Sequence, residues 1–182
     1  MVARDDLLDQ GASHIAAIID AIRSLCPQVG IEVLTSDFSG EFNCIDQVLS
    51  RHPDVFNHNI ETVRSLTPRV RHRATYDRTL SVLKYAKESG KAKHVKSGLM
   101  VGLGETSDQV KETIADLFEA GCNIITIGQY LQANHRKLLV KAFIPPEQFK
   151  EYEEFGLKLG VHKMYCGPFV RSSYHAHEVS NY

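Results

Sequence analysis

The 182-residue sequence predicts an α/β fold built on a parallel sheet, and three observations carry that prediction. Short β-branched runs alternate with amphipathic stretches of roughly 10–15 residues, the pattern of strand–helix–strand units with right-handed crossovers. Gly or Pro punctuates most of the hand-overs between them. Polar side chains gather just past the carboxyl ends of the runs: Ser36-Asp37, Asn57-His58-Asn59-Glu61, Gly102-Leu103-Gly104-Glu105 and Gln129-Tyr130-Gln132. In parallel α/β folds that edge receives ligands, because its loops vary without disturbing the sheet.

From Gly11 to Leu25, Ile15, Ile18, Ile19 and Ile22 recur at helical spacing until Pro27 and Gly30 end the pattern. Ile31-Glu32-Val33-Leu34-Thr35 then reads as a strand reaching residue 37. A second helix begins near Phe42 and closes over Gln47 to Arg51. Asp54 to Ile60 is a short strand, and Tyr76 to Ser89 is a helix stopped by Gly90. Val95 to Gly102 is apolar and strand-like, Thr106 to Glu119 is a helix stopped by Gly121, and Ile124-Ile125-Thr126-Ile127-Gly128 opens a buried β-branched strand continuing toward residue 130. The last helix follows Pro145, with Pro146 suited to its first turn, and runs to Leu159 before Gly160. Residues 161–166 are a candidate fifth strand, and Val2 to Leu7 reads as the frayed end of an earlier one. No linker, repeat or low-complexity tract divides the chain, so residues 1–182 are expected to form one domain. So few strands do not close an eight-stranded barrel: either the sheet is open, or the chain is the later part of something larger.

Apolar residues make up 43%, charged residues 24%, and the net charge is −1, which removes the electrostatic case for nucleic acid. No apolar run is long enough to span a membrane, and the amino end has the layout of neither a signal peptide nor a presequence, so a cytoplasmic address is expected. Cys26, Cys44, Cys122 and Cys166 stand too far apart to form a Cys-x-x-Cys loop for zinc or an iron–sulfur cluster. Cys44 and Cys122 sit in apolar contexts, where a thiol serves as a small hydrophobe.

The glycines of Gly98-Leu99-Met100-Val101-Gly102-Leu103-Gly104-Glu105-Thr106 let backbone approach a ligand where a strand turns into a helix, or else serve close packing with Glu105 as part of the cap. A phosphate loop of Walker type is a poor match, since no lysine ends the motif. Asn57 and Asn59 alternate along a strand and so share a face; with Glu61 they offer donors and acceptors for a ribose and an amino acid, or they form a buried polar network. Lys96 opens a buried strand, where a cation needs a partner or must snorkel to the rim. Gln129 ends the next strand. The tail, Gly167-Pro168-Phe169-Val170-Arg171-Ser172-Ser173-Tyr174-His175-Ala176-His177, crowds a guanidinium, two hydroxyls, a phenol and two imidazoles. It is either a frayed polar end or a segment folded back on a site. His14, His52, His94 and His162 are scattered singly and read as surface residues.

Taken in order, Asn57-His58-Asn59-Ile60-Glu61-Thr62, Lys96 to Thr106, Ile125 to Gln132 and Gly167 to Ala176 resemble lipoyl synthases, with Arg4 to Leu7 and Ile31 to Thr35 also fitting. The resemblance covers nearly the whole chain. It implies a partial TIM-type (β/α) barrel of the radical S-adenosylmethionine superfamily, here a carboxyl-terminal portion with amino-terminal strands missing. It further implies insertion of sulfur at C6 and C8 of an octanoyl chain, giving the lipoyl cofactor. The implied cofactors are S-adenosylmethionine and two [4Fe–4S] clusters, one that generates a 5′-deoxyadenosyl radical and an auxiliary one that donates sulfur. The implied partners are an octanoylated lipoyl-domain protein or glycine-cleavage H protein and an electron donor such as ferredoxin or flavodoxin.

By the same resemblance Asn57, Asn59, Glu61, Lys96, Gly98, Met100, Gly102, Glu105 and Gln129 are cofactor-binding candidates. The segment Gly98 to Glu105 fits the superfamily's Gly-x-Ile-x-Gly-x-x-Glu motif with Met100 in place of Ile. Arg171 and Ser173 are catalytic candidates, Ser173 as an oxygen ligand of the auxiliary cluster with Ser172 as the alternative. The family's Cys-x4-Cys-x5-Cys and Cys-x3-Cys-x2-Cys motifs do not occur in this chain, so it is expected to be inactive alone. A degenerate binding module that keeps a docking surface or an S-adenosylmethionine pocket is the competing reading.

Overall fold

The computed structural model describes Arg4 and residues 6–174. In chain order run α1 (Ala12–Leu25), β1 (Glu32–Leu34), a 3-10 turn (Phe38–Gly40), α2 (Phe42–Leu49), β2 (Val55–Asn57), the short α3 (Thr67–Val70) and α4 (Tyr76–Glu88). Then come β3 (His94–Val101), α5 (Ser107–Glu119), β4 (Ile124–Gln129), α6 (Pro146–Leu159) and β5 (Lys163–Gly167). The strands are all parallel and lie in chain order, β1-β2-β3-β4-β5. Sequential parallel strands joined by helical crossovers are the arrangement of a partial (β/α) barrel, as the alternation predicts. The candidate fifth strand is real.

Strand periodicity sorts the side chains onto two faces. Phe56, Val95, Leu99, Val101, Ile125 and Ile127 face the helices and join one core with residues such as Ile45, Leu83, Ile114 and Phe149. Each such side chain, fully buried, contributes roughly 1.5–3 kcal/mol. On the opposite face Val55 and Ile124, with Tyr165, form a small separate cluster that floors the sheet's concave side. α5 begins with a reciprocal capping box between Thr106 and Gln109, worth about 1 kcal/mol.

Three expectations from sequence change. β1 and β2 are three residues each, shorter than 31–37 and 54–60, because the chain leaves the ladder to build loops: Phe38 and Ser39 take φ values of 45° and 51° and Glu61 one of 70°. Of the expected strand end at Val2 to Leu7, Val2, Ala3 and Asp5 lie outside the described residues, and the others make the contacts of a turn, the Leu7 amide donating to the Arg4 carbonyl at 2.9 Å and Arg4 pairing with Asp6 at 2.7 Å. α1 has the predicted period, yet it buries Ala12, Ala16 and Ile19 while Ile18 and Ile22 stay exposed. Among the described residues it packs chiefly on α2, which covers only part of its apolar stripe. As expected, Cys44 and Cys122 are buried; His94 is half-buried, whereas His14, His52 and His162 are exposed.

Candidate functional site

The concave face carries Gly98 and Met100 on β3 and Thr126 and Gly128 on β4, paired across the ladder as Gly98 with Thr126 and Met100 with Gly128. Two of these four positions lack a side chain, which leaves a cavity of about 210 Å³. Its walls include Asn59, Glu61, Gly98, Met100, Thr126 and Gly128, and Val170, Arg171 and Ser172 close one side. A Cβ on Gly98 would collide with Thr126 Oγ1 and lie 3.1 Å from Asn59 Oδ1. One on Gly128 would collide with the Val170 carbonyl and lie 3.2 Å from Arg171 Nη1. Asn59 Oδ1 is buried without a hydrogen-bond partner. An orphaned acceptor of this kind costs free energy unless a ligand or water donates to it.

The wall from His58 to Glu61 is fastened to β3 through His58, Ile60 and Glu61. The His58 amide donates to the Lys96 carbonyl at 3.1 Å, the Ile60 amide to Ser97 Oγ at 3.1 Å, and the Glu61 amide to the Gly98 carbonyl at 3.0 Å. The Met100 amide donates back to the Glu61 carbonyl at 2.9 Å. Glu61 adopts its left-handed backbone to make this isolated bridge, which turns its side chain into the cavity wall. His58 is fully buried behind that wall, and desolvation, with the Arg71 cation adding to it, pushes its pKa down from 6.5 to about 4. The imidazole is therefore neutral at pH 7.

Asn57 and Lys96, both ligand candidates by sequence, do not line the cavity. Lys96 Nζ lies 3.0 Å from each oxygen of Glu32 and is fully buried, and Asn57 Nδ2 donates to Glu32 Oε1 at 2.7 Å. This is the buried polar network that the sequence left open, with Glu32 as a member the sequence did not single out. The available signal was parity: Glu32, Asn57 and Lys96 all fall on the concave face, where an acid must meet a base to be buried.

Gly102, Glu105 and Gln129 are held in loop architecture. The Glu105 carboxylate accepts from the amides of Gly102 and of Leu103, the latter at 2.9 Å. Gln129 Nε2 donates to the Ala142 and Tyr130 carbonyls, each at 3.0 Å, and its Oε1 accepts from the Ile144 amide at 2.9 Å. Gly102, at φ 103°, is packed so that a Cβ would meet Gln129 Nε2 and the Ala142 carbonyl. Together they pin the 130–145 crossover to the end of β3.

The described part of the tail, to Tyr174, folds back on the site. Arg171 and Ser172 line the cavity, and Arg171 Nη1 donates to the Val170 carbonyl at 2.7 Å. Ser173 is exposed and stands outside the lining, whereas Ser172 is part of it. His175, Ala176 and His177 lie outside the described residues. Cys26 is exposed, Cys166 is partly buried, and burial pushes the Cys122 and Cys166 thiols up. Among the described residues no group of three His, Cys, Asp or Glu is placed to hold a metal ion, so the described cysteines do not fit a shared cluster. No helix among them is long and apolar enough to cross a membrane.

A sequential parallel sheet with a glycine-walled cavity at its carboxyl edge defines a protein of the partial α/β barrel class, in which ligands are received at that edge. The sequence family described as the radical SAM superfamily matches residues 4–129, and the protein belongs to that superfamily. Within it the chain is similar to lipoyl synthases. Identity is 59% with the one from Protochlamydia amoebophila, over 98% of this chain and 56% of that protein. It is 48% with that of Caldicellulosiruptor saccharolyticus, over 98% and 63%, and 49% with that of Thermus thermophilus, over 98% and 55%. The chain thus spans a little over half the length of these relatives.

Proposed function

We propose that the cavity bounded by Asn59, Glu61, Gly98, Met100 and Gly128 binds S-adenosylmethionine and that the protein acts in lipoyl synthesis, inserting sulfur at C6 and C8 of a protein-bound octanoyl chain. The observation that carries this reading is the buried, unpartnered Asn59 Oδ1 facing a glycine-walled space. Its donor set suits a zwitterionic nucleoside. Asn59 offers an acceptor for a ribose hydroxyl or an ammonium group, Glu61 a carboxylate for the ammonium, and the bare edge of Gly98 room for a flat adenine. The Met100 side chain supplies a soft, polarizable wall. Bound there, with Asn59 and Glu61 holding its polar groups, S-adenosylmethionine would supply a sulfonium open to one-electron reductive cleavage with methionine as the leaving fragment. Arg171, beside the cavity, is a fixed cation for an anionic group entering from that side. Ser172, rather than Ser173, is the hydroxyl placed to meet such a group. An octanoylated lipoyl-domain protein or H protein is the acceptor this reading requires, with ferredoxin or flavodoxin as the electron source.

The described cysteines do not gather, so these residues are proposed to hold no cysteine-ligated cluster by themselves. That same observation supports the second reading, a binding module that keeps the S-adenosylmethionine pocket without catalysis. Isothermal titration of the chain with S-adenosylmethionine tests the shared premise. Saturable binding that Asn59→Ala weakens supports it, and absence of saturable binding refutes it.

A further inference from the structure

Asn59 sits between residues whose amides are tied to β3, and its own carbonyl takes no part in that ladder. The hydrogen bond it does receive comes from Arg71 Nη1, at 2.5 Å. Arg71 follows α3 directly, its amide closing that helix on the Thr67 carbonyl at 2.7 Å, and its side chain reaches inward to a half-buried position behind the cavity wall. The second arm of the guanidinium, Nη2, lies 3.3 Å from His58 Nε2, and Thr79 Oγ1 lies 3.4 Å from that nitrogen and from Arg71 Nη1.

The chemistry of His58 makes this contact directional. Its Nδ1 is 2.9 Å from the Thr35 carbonyl, which only accepts, so Nδ1 carries the proton. Nε2 is then a bare lone pair, suited to a guanidinium N–H and repelled by none. Arg71 does not line the cavity, yet it bears on two groups that do: it fixes the carbonyl of Asn59, and the Glu61 carboxylate acts on it as an opposing charge.

We propose that Arg71 is a positioning residue for the ligand cavity. By donating one arm to the Asn59 carbonyl and the other to neutral His58, it sets the Asn59–Ile60 peptide and so aims the Asn59 amide and the Glu61 carboxylate into the cavity. A planar fork is needed because two acceptors in different directions are met at once; an ammonium group satisfies one at a time. The inference rests on the cavity being the S-adenosylmethionine site, and its test has an arm that does not depend on that ligand.

In the unliganded wild-type chain, long-range proton–nitrogen correlation of the histidine rings is expected to show His58 protonated on Nδ1; an Nε2-protonated ring at pH 7 overturns the proposal. In Arg71→Met, amide exchange at Ile60 and Glu61 is expected to accelerate, and S-adenosylmethionine affinity to fall about tenfold, the worth of one hydrogen bond to a charged donor. Arg71→Lys should recover part of that loss, to within roughly threefold of wild type, by keeping the bond to Asn59 while losing the fork. Exchange at Ile60 and Glu61 that matches wild type in Arg71→Met, or affinity unchanged in that variant, refutes the positioning role. A wild-type chain that binds no S-adenosylmethionine while Arg71→Met still loosens Ile60 and Glu61 refutes the assignment of the cavity and leaves the positioning of the peptide established.

Discussion

Mild acid should destabilise this protein chiefly through His58. Folded, its pKa is about 4 against an ordinary 6.5, because burial and the Arg71 cation both disfavour the charged ring. Between those two values the unfolded chain binds a proton that the folded chain does not, so the contribution of His58 to stability falls as pH drops from 6.5 to 4 and levels off below. The drop from 6.5 to about 4 corresponds to about 3 kcal/mol across the window, of which about 2 kcal/mol is lost by pH 5. With a urea slope of roughly 1–3 kcal/mol/M, the midpoint should move down by about 1 M between pH 7 and pH 5 at constant slope. Carboxylates leave the interval from pH 7 to pH 5 clear because they take up protons in the unfolded chain only near 3.8; Asp9, held at about 2 by hydrogen bonds from Ser13 and the Gly11 amide, and Asp46 and Asp54, held below 3.8, add their own loss of stability below about pH 5. His94, which partial burial also pushes down, acts in the same direction, and His94→Gln removes its share. Urea melts followed by circular dichroism check the profile, with His58→Gln as the variant expected to flatten it. A midpoint that holds steady from pH 7 to pH 5, or an equal slope in His58→Gln, refutes the reasoning.

Lys96→Met should cost up to about 3 kcal/mol in the same urea assay, because it leaves the largely covered Glu32 carboxylate without its cation, and adding Glu32→Leu should restore much of the loss. Gly98→Ala should reduce S-adenosylmethionine affinity more than about tenfold in calorimetry, since the new methyl group presses on Thr126 Oγ1 and Asn59 Oδ1 inside the cavity. Anaerobic reconstitution with iron and sulfide should leave the chain with far less than one [4Fe–4S] per molecule by iron analysis; a stoichiometric cluster would show that its scattered cysteines can be gathered.

Much of this molecule is legible in its sequence because periodicity is a local property. The alternation of Phe56 with Val55 and Asn57, or of Ile125 with Ile124 and Thr126, assigns each residue to a face before any partner is known. Glycines at 98 and 128 mark the positions where backbone is bare, and the Asn-x-Asn-x-Glu and Arg-Ser-Ser segments carry the kinship with lipoyl synthases. Tertiary structure alone decided who meets whom. Lys96 reaches Glu32, 64 positions away, through strand register, and a slip of one residue would have sent either side chain to the other face. Asn57 and Asn59 share parity in an extended chain, yet β2 ends between them, so one joins the floor's ion pair and the other the cavity wall. Ser172 rather than Ser173 reaches the cavity, as a turn and not a period sets their directions. The role of Arg71 had no sequence signal, because a guanidinium on a loop declares its acceptors only once the chain around it has folded.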